Sequence, residues 1–286
     1  DCGAVWLYPH GGEQESAVTI GCGLAPRLSL TDPYLMAQYA VDEAIRNVVV
    51  SGGDPDMCCL LDNFCWPDPV KSAHTPDGDF KLGQLVKTCQ GLYDICTAYG
   101  APLVSGKDSM KNDYRGKDHQ GRDITISILP TLLVTAMAKA NIRHTVRSDF
   151  QNSGDFIYLL GANHAGLGAS EFAQYFAVKD TPPGIDLKKN LALYRAYHEA
   201  CQNNILSSGH DLSDGGLLVA LAESMIGGGK GATVELMSAE LPLSDLLFGE
   251  AAGRFLVSVA PAHRAVFDDH FAGHSPLLLG QVTDDK

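Results

Sequence analysis

The sequence TDPYLMAQYAVDEAIRNVVVSGG, residues 31–53, predicts a complete helix, including both of its ends. Asp32 is a suitable N-cap residue, and Pro33 suits the first helical position. Apolar residues then recur at helical spacing until a glycine pair ends the run. Glu43 and Asn47 lie one turn apart on this helix, on a face that we predict to be opposite the apolar stripe. Their oxygen atoms are of the kind that Mg²⁺ accepts, and a solvated helix face is the alternative interpretation.

Two short motifs follow this helix, each after a predicted strand. Asp62 comes directly after the apolar residues 57–61. Because ligands gather at the carboxyl ends of strands in α/β sheets, Asp62 is a candidate site residue, and an Asx turn is the alternative. Residues 105–109, SGKDS, follow a second helix that we predict from about residue 82 to residue 99. They combine a glycine, a lysine and two oxygen-bearing side chains without the spacing of a P-loop, so we predict an anion-binding loop or an ordinary turn.

A third motif, HDLSDGG at residues 210–216, precedes an apolar helix. Ser213 or Asp214 can cap that helix, and its first backbone N–H groups form a potential anion site. Asp211 adds a further carboxylate. A simple capping motif is the alternative, although it leaves His210, Asp211 and the paired glycines unexplained. We interpret His210 as an orienting or core residue rather than a base.

The remaining pattern predicts two α/β domains of similar size, joined by a polar connection near residues 141–153. Within the second domain, FGEAAGRF at residues 248–255 places Glu250 four residues before Arg254. We predict that these two side chains form a structural ion pair. The other elements predicted for this domain are a strand at 156–160, helices at 169–177, 187–204 and 216–226, and strands at 232–237, 255–260 and 277–282.

Composition excludes several classes of protein. The net charge is −13, which argues against binding to the backbone of a nucleic acid. No apolar stretch is long enough to predict a membrane span. The eight cysteines are scattered without a CxxC pair, so we expect reduced core residues and a cytoplasmic protein. The chain starts without Met in strand-like sequence, which predicts that it is part of a longer protein.

Taken in order, four motifs resemble one family. The chain is similar over nearly its whole length to the second half of phosphoribosylformylglycinamidine synthases. These belong to the ATP-binding superfamily of aminoimidazole ribonucleotide synthetase. The motifs are VDEAIRN at 41–47, LDNFCWP at 61–67, PLVSGKDSM at 102–110 and HDLSDGGL at 210–217.

The resemblance implies a fold and a reaction. Residues 1–142 would form an α/β domain whose sheet completes a barrel with a twin domain, and residues 143–286 would form an α/β/α domain. The enzyme would be an ATP-dependent C–N ligase of purine biosynthesis. ATP would activate the amide oxygen of formylglycinamide ribonucleotide, and ammonia from glutamine would displace the phosphate to give the amidine.

The resemblance also implies roles at matching positions, none of them catalytic. Lys107 departs from the family pattern, since some members carry a metal-binding asparagine there, and a lysine would contact phosphate directly. The other implied roles are Mg²⁺ ligation by Glu43, Asn47, Asp211 and Asp1, ATP contact by Asp62 and Gly106, nucleotide contact by Ser213, and substrate contact by Ser109.

The resemblance places essential parts outside this chain. The catalytic histidine would belong to a missing N-terminal synthetase half, and the glutaminase cysteine to a separate domain or subunit. We therefore expect the chain alone to bind Mg-ATP or Mg-ADP weakly, without turnover, and to form a homodimer that covers its barrel edges. The alternatives are another ATP-dependent enzyme of the superfamily, such as a small-molecule kinase, or a non-catalytic scaffold half.

Overall fold

The computed structural model describes residues 2–8, 15–236 and 241–284. Asp1 therefore lies outside the described residues. The strands are β1 (Cys2–Trp6), β2 (Ser16–Leu24), β3 (Cys58–Cys65), β4 (Leu103–Ser109), β5 (Asp113–Lys117), β6 (Asp123–Ser127), β7 (Thr131–Asn141), β8 (Phe156–Leu160), β9 (Ser208–Asp211), β10 (Gly231–Val234), β11 (Phe255–Val259) and β12 (Leu277–Thr283). The α-helices are α1 (Pro33–Val50), α2 (Gly78–Tyr99), α3 (Glu171–Phe176), α4 (Leu187–Gln202), α5 (Gly216–Gly228), α6 (Leu243–Phe248) and α7 (Arg264–His270).

The elements up to β7 form an N-terminal unit around one sheet, in the order β1-β2-β7-β3-β4. Helix α1 packs against β2 and β7, and α2 packs against α1. Close contact between α1 and β2 depends on Gly23, because a Cβ there would lie 2.1 Å from the backbone oxygen of Ala40. The helices therefore cover one face of this sheet.

The opposite face of the first sheet carries apolar side chains that reach the surface. Ile20 and Met137 are register partners on neighbouring strands, and they are 39% and 43% exposed. Leu61 lies on the same face and is 38% exposed. An open apolar sheet face of this kind suits contact with a further domain. Closure into a barrel stays a prediction.

The elements from β8 onward form a C-terminal unit, with strands in the order β10-β12-β8-β11-β9. Helices lie on both faces of this antiparallel sheet. On one face, Ile157 and Leu159 of β8 pack with Leu217 and Leu221 of α5. On the other face, the ring of Phe255 lies 4.5 Å from that of Tyr197 on α4. The predicted α/β/α layering is confirmed, and the boundary between residues 142 and 143 stays a prediction.

The two predicted helices of the N-terminal unit are confirmed, but their exposed faces are not as predicted. Helix α1 begins after Asp32, whose side chain accepts a hydrogen bond from the Leu35 N–H at 3.1 Å. Asn47 is buried and Glu43 is half-buried, because the face that we expected to be solvated packs against β2, where Asn47 donates to the Cys22 backbone oxygen and Glu43 accepts from the Leu24 N–H. On α2, apolar residues at helical spacing, including Val86 and Tyr93, are exposed although such a pattern predicts a buried face. The buried face of α2 contains Lys81, Gln84, Thr88, Gly91, Leu92, Ile95 and Tyr99.

Two of the motifs lie in strands rather than loops. Residues 105–109 belong to β4, which is parallel to β3, and this correction places the motif on an edge strand. Asp62 lies within β3, not at its end, since the strand continues to Cys65. Likewise, His210 and Asp211 end strand β9. Each strand is formed through backbone pairing with a partner distant in sequence, which local pattern does not reveal.

The structure bears on what the composition predicted for the cysteines and for membrane spans. The eight cysteines, all within the described residues, form no disulfides, but only Cys58 and Cys201 are buried, and Cys22 and Cys89 are exposed rather than part of the core. None of the helices that the structure describes has both the length and the hydropathy to cross a membrane.

One buried carboxylate joins the two units. Asp42 on α1 is fully buried and accepts a hydrogen bond from Arg46 Nη1 at 2.6 Å. It also accepts from Tyr99 Oη at 2.6 Å, from Asn190 Nδ2 at 3.0 Å and from Tyr194 Oη at 2.8 Å. Asn190 and Tyr194 lie on α4, so these bonds fix α4 of the C-terminal unit against α1.

Replacing this carboxylate should destabilise the protein strongly. We expect Asp42→Ala to lower the free energy of unfolding by about 3–5 kcal/mol, because Arg46 would remain buried without its partner. Urea unfolding followed by circular dichroism measures the change. The control is Asp56→Ala, which removes an exposed ion pair with Arg195 between the same two units and should cost under about 1 kcal/mol. Equal losses in the two variants would contradict the central role of Asp42.

Candidate functional site

A cavity of about 530 Å³ lies where the two units meet, and we call it the junction cavity. Residues 24–28, 30, 39, 43, 46 and 129 line it from the N-terminal unit. From the C-terminal unit, the lining residues are 166, 168–171, 174, 182–183, 213–214 and 250. The cavity is therefore built by residues distant in sequence, from both units.

Glu43 reaches the junction cavity from α1. Its Oε2 accepts a hydrogen bond from the Leu24 N–H at 2.8 Å, which fixes the carboxylate at the end of β2. Burial raises the pKa of Glu43 to about 7, while Arg46 acts in the opposite direction. A cation beside Glu43 would stabilise the charged form of its carboxylate, because burial has removed part of the hydration of that carboxylate.

Arg46 and Asp211 form a buried contact beside Glu43. Arg46 Nε lies 3.5 Å from Asp211 Oδ2, and both side chains are almost fully buried. Because α1 packs against β9, Asp211 lies next to the helix that carries Glu43 and Asn47. The Asn47 amide donates to the Cys22 backbone oxygen at 2.9 Å. The structure thus brings Glu43, Asn47 and Asp211 to one region.

The predicted site residues do not all line the same cavity. Ser213 lines the junction cavity with Glu43, whereas Asp211 lines a smaller cavity of about 290 Å³ that also contains Cys2. Within residues 2–8, 15–236 and 241–284, no group of three or more His, Cys, Asp or Glu side chains is arranged to hold a metal ion. Any metal here would need further ligands from outside these side chains.

Glu250 is also a residue of the junction cavity, and the predicted ion pair with Arg254 is wrong. Glu250 Oε1 accepts from the Gly215 N–H at 2.8 Å and the Glu171 N–H at 2.9 Å. Arg254 instead donates to the backbone oxygens of Gly249 and Ala251. Burial raises the pKa of Glu250 to about 7, and the two N–H donors oppose this rise.

The predicted anion site at the start of α5 is therefore altered, because Glu250 already occupies the N–H of its N-cap residue, Gly215. His210 is half-buried, and its orienting role stays a prediction. Its Nδ1 lies 2.7 Å from the backbone oxygen of Asp211, and its Nε2 lies 3.1 Å from Glu223 Oε2.

A second cavity, of about 630 Å³, lies between α2 and strands β3 and β4, and we call it the α2 cavity. Asp62 and Asp108 are the carboxylates on a wall that is otherwise largely apolar. Partial burial, together with the nearby Asp108, raises the pKa of Asp62 above its usual range. Gly106 is the register partner of Asp62, and a Cβ there would lie 2.5 Å from Asp62 Oδ1. A side chain at position 106 would therefore displace the Asp62 carboxylate from this position.

Lys107 and Ser109 lie on β4, next to the α2 cavity but not in its wall. Their register partners on β3 are Asn63 and Cys65. Lys107 is exposed. The structure thus groups Asp62, Gly106, Lys107 and Ser109 at one sheet edge, away from Glu43, Asn47, Asp211 and Ser213.

Sequence reasoning missed three parts of the junction cavity: Arg46, the segment 166–171, and the role of Glu250. For Arg46 a signal was present, since Asp42 and Arg46 are four residues apart within a strongly apolar helix. For Glu250 no local signal existed, because both of its donors are distant in sequence.

Two family models match this chain. The first, AIR synthase related protein, N-terminal domain, matches residues 1–129. The second, AIR synthase related protein, C-terminal domain, matches residues 152–286. Together the two models account for nearly the whole chain.

The curated relatives are phosphoribosylformylglycinamidine synthase subunits PurL. The subunit of Synechococcus sp. (strain JA-3-3Ab) is 34% identical over 258 residues, which cover 88% of this chain and 31% of the relative. The subunit of Anaeromyxobacter sp. (strain K) is 31% identical over 292 residues, which cover 97% of this chain and 36% of the relative. The chain thus spans about a third of the length of the curated relatives it matches.

Solved structures share the fold. Thermotoga maritima PurL complexed with FGAR has a TM-score of 0.71 and 20% identity, covering 95% of this chain and 43% of that chain. The same protein complexed with ATP has a TM-score of 0.70 and 17% identity, covering 96% and 41%. For tt0281 from Thermus thermophilus the TM-score is 0.69 and the identity is 15%, and the match covers 100% of this chain and 86% of that chain.

Both the recognised family and the expected fold class are therefore confirmed. This chain belongs to the AIR synthase related family, contains both the N-terminal and the C-terminal domain of that family, and has PurL subunits of phosphoribosylformylglycinamidine synthase among its sequence relatives.

Proposed function

We propose that this chain is the second synthetase half of a phosphoribosylformylglycinamidine synthase, and that its junction cavity binds a nucleotide with Mg²⁺. One observation carries the proposal. Glu43, Arg46 and Ser213 line the junction cavity, and Arg46 also contacts Asp211, which belongs to the other domain and lines the neighbouring smaller cavity. Thermotoga maritima PurL has been solved with ATP and with ADP, which supports a nucleotide as the ligand.

The donor chemistry fits Mg²⁺. Glu43, Asn47 and Asp211 offer oxygen atoms, which a hard cation prefers. Mg²⁺ is usually held by one or two carboxylates plus phosphates of the ligand, rather than by an all-protein cage. The lack of a three-carboxylate cluster among the described residues is therefore consistent with this ion. When bound, Mg²⁺ would neutralise charge between the phosphates.

The α2 cavity is the proposed second nucleotide location. Its largely apolar wall suits a base, and Asp62 with Gly106 provides a polar edge. Lys107 is exposed and Ser109 is half-buried at the same edge, where they can meet the phosphates and the formylglycinamide ribonucleotide held by the missing half. Thermotoga maritima PurL has been solved with FGAR, which supports this substrate.

In the proposed reaction, ATP activates the amide oxygen of formylglycinamide ribonucleotide, and glutamine-derived ammonia displaces phosphate to give the amidine. The residues of the two cavities contribute binding, orientation and charge. The acid–base histidine is proposed to lie in the missing half, and the glutaminase in a separate domain or subunit. The chain is then an incomplete ATP-dependent ligase.

The open face of the first sheet is the proposed contact with the missing half. Its apolar side chains, Ile20, Leu61 and Met137, are about two-fifths exposed. The curated relatives are about three times longer than this chain, so they have room for a twin domain. A second copy of the chain would cover the same face in the absence of the twin.

The first prediction concerns nucleotide binding without turnover. Isothermal titration calorimetry should show that the 286-residue chain binds Mg-ADP, and Asp211→Ala should weaken binding about tenfold or more because one charged ligand is lost. Asp269→Ala is the control, since Asp269 is exposed on α7. The chain should release no phosphate from ATP when formylglycinamide ribonucleotide is added.

Two results would contradict this prediction. No heat with Mg-ADP would indicate a scaffold half without a nucleotide site. Steady phosphate release that depends on formylglycinamide ribonucleotide would show that the chain is catalytically complete.

The second prediction concerns the sheet face. Light scattering at micromolar concentration should show a dimer, and Met137→Asp should give a monomer because it places a charge in the apolar contact. Tyr175→Asp is the control, because Tyr175 is 83% exposed and lies on α3 in the other domain. A monomeric unmodified chain, or a dimer that survives Met137→Asp but not Tyr175→Asp, would rule out this surface.

A further inference from the structure

The segment from Phe248 to Phe255 places one carboxylate between two helix starts. Both hydrogen bonds of Glu250 to backbone N–H groups use the same oxygen, Oε1, at 2.8 Å from Gly215 N and 2.9 Å from Glu171 N. Gly215 is the N-cap residue of α5, and Glu171 is the first residue of α3. A single atom therefore connects two segments that are 44 residues apart, as counted from 171 to 215.

Two glycines allow this approach. Gly215 and Gly216 have φ values of +79° and +64°, which favour glycine. A Cβ on Gly216 would lie 2.6 Å from the backbone oxygen of Gly249 and 2.9 Å from the carbonyl carbon of Phe248. The start of α5 thus packs directly on the chain just before Glu250. This packing explains the glycine pair that a simple capping motif leaves unexplained.

Arg254 fixes the loop that carries Glu250. Its guanidinium donates to the backbone oxygens of Gly249 and Ala251, the residues on either side of Glu250. Arg254 is itself fully buried, so these bonds are not exchanged with solvent. The backbone on both sides of Glu250 is held in place, and the direction of its side chain is limited accordingly.

The two bonded segments are adjacent, and both lead from the lining of the junction cavity. Residues 168–170 precede Glu171 and line one wall, and Ser213 and Asp214 precede Gly215 and line another. Glu250 lines the cavity as well. The position of these two lining segments relative to each other therefore depends on the shared Glu250 oxygen.

We propose that Glu250 is a positioning residue for the nucleotide of the junction cavity, acting through its two hydrogen bonds to the walls rather than through its charge. This inference rests on the proposed function. It assigns Glu250 no contact with metal. Since both bonds use one oxygen, a glutamine amide oxygen can accept them, whereas an aspartate is one methylene too short to reach both amides.

The test compares Glu250→Gln with Glu250→Asp in the full 286-residue chain, using Mg-ADP as the calorimetric probe. We expect Glu250→Gln to keep the affinity within about twofold, and Glu250→Asp to weaken it about tenfold, as expected when buried N–H groups lose their acceptor. Glu199→Asp on α4 is the control, since Glu199 is exposed and lies outside the cavity. Amide hydrogen exchange at Glu171 and Gly215 should accelerate in Glu250→Asp and not in Glu250→Gln.

The outcomes separate this inference from the proposed function. If the unmodified chain binds no Mg-ADP, the proposed function fails, and unchanged exchange at both amides in Glu250→Asp would overturn the positioning role as well. If the unmodified chain binds but Glu250→Asp binds equally well, the positioning role alone fails. Loss of affinity in Glu250→Gln with retention in Glu250→Asp would show that charge is what matters, and would also overturn the inference.

Discussion

The structure depends on the way in which buried charges are paired at the junction of its domains. A carboxylate removed from water is stable only when hydrogen bonds replace its hydration. Asp42 meets this requirement with donors from α1, α2 and α4, two of which belong to the other domain. Separating the domains would leave this carboxylate without Asn190 and Tyr194. The relative position of the domains is therefore fixed by an electrostatic need, in addition to apolar packing.

The same pairing creates the candidate site. Arg46 neutralises Asp42 through one side of its guanidinium, and its Nε faces Asp211 on β9. Glu43 lies one turn earlier on α1, and its carboxylate is held by the end of β2. The cavity next to these groups is lined by carboxylates from both domains, two of which have pKa values near 7 because burial disfavours their charge. The proposed magnesium nucleotide would stabilise the charged form of Glu43.

The elements that local signals determine were predicted well. Helix α1 has its cap, its proline and its glycine stop within 23 residues of sequence, as counted from 31 to 53, and the structure has the helix at Pro33–Val50. The SGKDS strand could not be predicted, because its backbone hydrogen bonds are made with β3, some 40 residues away. The buried face of α2 was missed for a related reason. Gln84 and Thr88 can be buried because they donate hydrogen bonds to the backbone oxygens of Ser29 and Pro33. A hydrophobicity pattern does not identify such polar residues as core residues, because their burial depends on these hydrogen bonds.

The candidate site was likewise predictable only in part. Glu43, Asn47 and Asp211 could be selected from motif resemblance, and they lie in one region, although Glu43 and Asp211 line different cavities and the roles of all three stay predictions. The proposed role of Glu250 depends on packing between Gly216 and residues 247–249, which no local pattern describes. The most direct test of the central claim is a crystal structure of the chain grown with Mg-ADP. The account predicts a nucleotide in the junction cavity, with the metal about 2.0–2.1 Å from oxygen atoms of Glu43, Asn47 and Asp211. A nucleotide bound elsewhere, with Asp211 still facing Arg46 and no metal beside it, would contradict it.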